Sequence, residues 1–147
     1  MNSGRIVLKV LCAGMAALLV APVHAEKAGK TIQGEPFVSG GIGADEQAAL
    51  KKDLSQYNLW IQTAAKSGPF LSDATVKIVD EADTVVLDTQ LDGPWLIVKL
   101  GPGQYKVAVT YGGKTVERST QIHPGDHHQM IFYFDANVDV LPKGEER

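Results

Sequence analysis

From Leu59 to Asp135 the chain falls into short segments whose apolar residues recur at every second position, most of them closed by glycine, proline or a charged corner. That period belongs to strands, because successive side chains on a strand point to opposite faces. The segments are LWIQTAA (59–65), ATVKIVD (74–80), TVVLDTQL (84–91), PWLIVKL (94–100), QYKVAVTY (104–111), KTVERSTQI (114–122) and QMIFYFD (129–135). Seven short strands separated by such turns predict an all-β fold, an antiparallel seven-stranded β-sandwich over residues 58–135. Tyr105, Val107, Val109 and Tyr111 share one face of their strand and read as core.

The last strand is apolar on both faces. Met130, Phe132 and Phe134 fill one, while Ile131 and Tyr133 occupy the other. An outer sheet face normally turns polar, so a cover is expected over Ile131 and Tyr133. One short N-terminal helix, residues 44–57, is the economical candidate, and a second copy of the chain (a homo-oligomer) is the other. The helix is read from strong helix formers between Ala44 and Ser55. Asp45 and Glu46 lie in its first turn and Lys51 and Lys52 further along, which suits the helix dipole. Leu50, Leu54 and Tyr57 give it one apolar stripe. Residues 26–43 mix charges with glycine and proline without a period and read as a flexible lead-in, and residues 136–147 read as a poorly ordered tail.

Ahead of all this, residues 1–25 carry Arg5 and Lys9, an apolar run from Val10 to Ala21, and Val23-His24-Ala25 before a cut. The pattern predicts a cleavable signal peptide and a periplasmic product, with release to the outside as the other destination and no membrane span after cleavage. Cys12, the only cysteine, would leave with it. The remaining chain would then have no disulfide, thiolate nucleophile or cysteine ligand. Loss of Arg5 and Lys9 leaves 12 bases against 17 acids, a formal charge of −5. With no basic stripe, nucleic acid is not an expected partner.

Between Gly68 and Phe134 the chain resembles the carboxypeptidase regulatory-like domains. The likeness lies in GPFLSDATVKIVD, in LDGPWLIVKLGPGQYKVAVTYGGKTV, and above all in the Leu100-Gly101-Pro102-Gly103-Gln104-Tyr105 turn. The resemblance implies a transthyretin-like sandwich and a non-catalytic module that binds, spaces or steadies a protein partner, here one in the cell envelope. The hydroxyisourate hydrolases share that fold, but their C-terminal tyrosine-arginine-glycine-serine is absent from a chain ending PKGEER.

Candidate chemistry is sparse. His123, His127 and His128 bracket a Pro-Gly turn and are the candidate metal ligands, for zinc or copper. Neighbours on a strand point apart, so His127 and His128 are not expected to chelate together, whereas a tight turn would let His123 meet one of them near Asp126. The plainer reading is a solvated polar turn. No cofactor is expected, since neither SGGIGADE (39–46) nor LGPGQY (100–105) has the strand, helix and lysine of a phosphate loop. No enzyme is expected either, as no G-x-S-x-G or H-E-x-x-H occurs and Asp80, Glu81 and Asp83 read as a hairpin tip. Trp95, Ile131 and Tyr133 are the candidate binding residues for a protein partner. A carbohydrate platform of tryptophan and tyrosine rings is a further alternative.

Overall fold

The structure is a computed structural model that describes residues 27–136. The expected signal peptide and the tail beyond Ala136 lie outside the described residues. Among the described residues nine strands form two open sheets. In chain order they are β1 (Lys27–Lys30), β2 (Pro36–Gly40), β3 (Leu59–Ala65), β4 (Thr75–Asp80), β5 (Val85–Gln90), β6 (Trp95–Val98), β7 (Gly103–Tyr111), β8 (Lys114–Ile122) and β9 (His128–Phe134). One sheet has the order β1-β2-β6-β3-β9 and the other β5-β4-β7-β8. Helix α1 (Ala44–Asp53) continues as a 3-10 turn, Leu54–Gln56.

The seven segments read from alternation are strands, but the sandwich is neither seven-stranded nor wholly antiparallel. Residues 26–43, expected to be irregular, hold β1 and β2. β2 forms because its backbone completes the ladder of β6, with Phe37 turned into the core and Val38 outward. β1 is an edge strand whose residues stay mostly exposed, so it has no apolar period to read. β9 runs parallel to β3, from Leu59↔His128 to Ala65↔Phe134. α1 accordingly follows two strands instead of opening the domain.

Between the sheets lies one core. The inward residues of β3, β6 and β9 (Leu59, Ile61, Leu96, Val98, Met130, Phe132) meet Val76, Ile78, Val86, Tyr105, Val107 and Val109 from the other sheet. Two contacts close the corners where the open edges approach. Ile32 N–H donates to the Val86 carbonyl at 2.9 Å, and Arg118 Nη1 donates to the Ile131 carbonyl at 3.0 Å. Asn58 staples the start of β3: its amide donates to Leu100 O at 2.6 Å and accepts from Leu100 N–H at 2.8 Å. Tyr105 buries its ring and donates its hydroxyl to Gly101 O at 2.7 Å, which holds the Gly101-Pro102 turn against the strand that follows.

Candidate functional site

β8 leaves the four-stranded sheet at Ile122, and the chain crosses through His123–His127 to begin β9 on the other sheet. The crossing is tight: Asp126 N–H returns to His123 O at 3.1 Å. Asp126 Oδ2 accepts from His123 N–H at 2.8 Å and faces His123 Nδ1 at 3.0 Å and His128 Nε2 at 3.3 Å. His128 Nδ1 lies 3.1 Å from Thr120 Oγ1. The turn therefore brings His123 and His128 to one carboxylate oxygen. His127 points elsewhere, with Nδ1 at 2.8 Å from the Tyr57 carbonyl. His127 lies in the crossing, one residue before β9 begins, so the turn and its contact with the Tyr57 carbonyl set its direction. Among the described residues no group of three or more histidine, cysteine or acidic side chains is arranged to hold a metal ion.

Thr120, His128 and Asp126 stand in the order hydroxyl, imidazole, carboxylate, which in other settings activates a nucleophile. Here the chain of contacts joins β8, the turn and β9 across the sandwich mouth. The His123 N–H above all holds the Asp126 carboxyl below its ordinary value of 3.8, against burial as the next largest effect and with lesser help from the His123 and His128 rings. A carboxylate whose folded value is lowered stabilises the fold fully above its unfolded value, and that stability is lost as pH falls through the folded one. Urea midpoints of the wild type should thus fall below pH 3.8 more steeply than those of Asp126→Asn. Parallel acid limbs in the two proteins would show that the turn does not depend on this charge.

Beside the turn, at the same end of the four-stranded sheet, is an open groove of about 550 Å³. Glu81, Gln104, Lys106, Ser119, Thr120 and Gln121 are among its lining. Lys106 is paired with Asp83 at 3.0 Å.

The outer face of the five-stranded sheet divides into two halves. One is covered: Leu50 of α1 packs on Trp95 and Ile97, with Val38, Leu54, Tyr57 and Trp60 around them. Glu46 and Gln47 fasten the entry to α1, Glu46 accepting from Gly41 N–H at 2.8 Å and Gln47 donating to Gly41 O at 2.9 Å. Trp95 is only 2% exposed, so this expected contact residue is a buried one. The helix thus covers the tryptophan side of the sheet, and not Ile131 and Tyr133 as expected. On the uncovered half Tyr133 is 52% exposed and Ile131 half-buried. Ala64 lies between Tyr133 on β9 and Phe70, and Phe70 is itself 50% exposed. Phe70 is the residue that sequence reasoning missed, since it makes a single bridge to Ala64 outside any periodic run.

Among the described residues no helix is long and apolar enough to cross a membrane. No protein-family model matches the chain, and no curated protein matches it.

Proposed function

We propose that this chain is an exported, non-catalytic β-sandwich module that binds or steadies a protein partner in the cell envelope. The observation that carries this reading is the Phe70–Ala64–Tyr133 strip, an apolar row on an outer sheet face that α1 leaves open. Water is a poor neighbour for two large exposed rings flanking Ala64, and exposed apolar patches of this kind mark association surfaces. The two-sheet architecture and the Tyr105–Gly101 turn accord with the resemblance to carboxypeptidase regulatory-like domains and their transthyretin-like fold. Export rests on the signal-like pattern of residues 1–25.

The test is a photoreactive residue placed at Tyr133 and, separately, at Phe70 in the full chain expressed in cells. A discrete protein adduct should form from both positions and disappear when Ile131 is also changed to lysine. An absence of adducts from both positions would reject the reading. Its non-catalytic part has its own check in Thr120→Val: hydrolysis of an activated ester that vanished with this hydroxyl would overturn it.

A further inference from the structure

Gln62 stands where the covered and the open halves of the outer sheet face meet. Trp60 on the same strand packs on that outer face, and the strand period puts Gln62 and Ala64 there with it. Across the ladders Gln62 is paired with Trp95 of β6 on one side and with Ile131 of β9 on the other. The next row along the sheet is the Phe70–Ala64–Tyr133 strip. Three observations there point the same way.

The first is an amide with nothing to bond. Gln62 is only 6% exposed, and its carboxamide makes no hydrogen bond among the described residues. Buried polar side chains nearly always have a partner, so the exception calls for a reason. The indole nitrogens of Trp60 and Trp95 are also unpartnered, but they are shut off from water, whereas the Gln62 nitrogen and oxygen are not. A group brought from outside can reach them.

The second is shape. Neighbouring strands lie about 4.8 Å apart, so the Phe70 and Tyr133 backbones are about 10 Å from each other with Ala64 between them. Two half-exposed rings over an alanine floor make a notch for one apolar side chain. Gln62 closes one end of it, about 7 Å along β3, which is the length of two residues of extended chain.

The third is charge. The two rows hold no charged side chain, and Lys66 and Asp135, which follow β3 and β9, are paired with each other at 3.0 Å. The occupant is therefore uncharged at this point, and it must offer Gln62 both a donor and an acceptor. The main chain of a single residue offers both. The fold already contains such a pairing, because the Asn58 carboxamide holds the carbonyl and the N–H of Leu100 at 2.6 and 2.8 Å.

We infer that the partner on this surface presents an uncharged, extended peptide segment aligned with β3. One of its residues gives N–H and carbonyl to the Gln62 carboxamide, and a neighbouring apolar side chain enters the notch over Ala64. This inference rests on the reading of the strip as a protein-binding surface and adds what the surface selects. A purely apolar partner would leave the Gln62 amide buried and unpaired, and so would be disfavoured.

The test uses the chain purified from cells that express its full sequence, with a phage-displayed library of random dodecapeptides as the probe. Selected peptides should share an uncharged stretch with one large apolar residue. Gln62→Met, which keeps the length of the side chain, should weaken synthetic copies by about tenfold. N-methylation scanned along the peptide should find one position that costs about the same in the wild type and nothing further in Gln62→Met, since both changes remove one contact. Urea denaturation supplies a second arm. An amide without a partner adds nothing to the fold, so the midpoint of Gln62→Met should equal or exceed that of the wild type. A lower midpoint would show that the fold itself uses the amide and would overturn the inference. It is overturned equally if no peptide is enriched, or if the selected peptides bind Gln62→Met unchanged. Sedimentation of the wild type as a dimer that Ile131→Lys dissociates would place a second copy on the strip and overturn it too. Adducts to another protein from Tyr133 and Phe70 beside enrichment of no peptide would leave the protein-binding reading standing, with a folded surface as the partner, whereas absence of adducts rejects that reading itself.

Discussion

Gly93→Ala should lower stability by about 3 kcal/mol or more, although it adds a single methyl group at a loop position. The α-carbon of Gly93 sits against the backbone of Gly40, and a Cβ there would run into the Gly40 carbonyl. Because the obstacle is main chain, no rotamer change can relieve it. Gly40 pairs with Trp95 at the end of the β2–β6 ladder, so the backbone that must give way belongs to the five-stranded sheet. The crossing from β5 to β6 is also pinned on both sides. Asp92 N–H donates to the buried Ser39 hydroxyl at 2.9 Å, and Thr63 N–H donates to Pro94 O at 3.0 Å. A shift at residue 93 loosens these bonds along with the ladder. Gly112→Ala is the control. It has a positive φ of 56° but nothing near its Cβ, and should cost about 1 kcal/mol from backbone strain alone. Urea denaturation of both variants decides the matter. If Gly93→Ala is no worse than Gly112→Ala, the close approach of the two backbones is not what holds the crossing.

How far the sequence revealed this arrangement depended on what each residue faces. Val76, Ile78, Val107 and Val109 point into one core with Thr75, Lys77, Lys106 and Thr110 among their outward neighbours, and alternation exposed their strands directly. β1 reads KAGK and buries none of its residues, so its pairing with β2 left no mark on the pattern. Side-chain period also carries no information on strand direction, which is why the parallel pairing of β3 with β9 was not legible. The cover over the outer sheet face was signalled in the wrong place. The clearer sign was Trp95–Val98, four consecutive apolar residues in a strand, which can only mean that both faces are covered there. At the turn, His127 and His128 face different partners, but His127 precedes β9 and owes its direction to the turn and not to the pleat. That Asp126 serves both His123 and His128 is local to the turn and goes one contact beyond the meeting expected near Asp126, whereas the unpaired N–H of Trp60 depended on distances between segments far apart in the chain.

The cover itself leads to the second large effect. Trp95→Ala should cost about 3–5 kcal/mol, the range for removing a buried aromatic side chain. Trp95 is the largest of the fully buried side chains, and it is held from every side. Leu50 packs on it, Trp60 meets it edge to face, Lys51 Nζ stands 5.7 Å from its ring centre, and Gly41 runs directly beneath it. Gly41, with a φ of 93°, has no room for a side chain, because a Cβ would come within 2.9 Å of the indole. Leu50 is the one residue of α1 that is buried, and no side chain caps the helix at Gly43. A helix of 10 residues has little stability of its own in water, so α1 persists because it lies on this indole. Removing the ring should therefore release α1 before the sandwich unfolds. Circular dichroism should lose its helical component at lower urea than the near-ultraviolet signal of the remaining core. Trp95→Phe keeps an aromatic floor and should retain the helix with a smaller loss. A single coincident transition in Trp95→Ala would show instead that helix and sandwich form one cooperative unit, with α1 held by Glu46 and Gln47 at Gly41 as firmly as by the tryptophan.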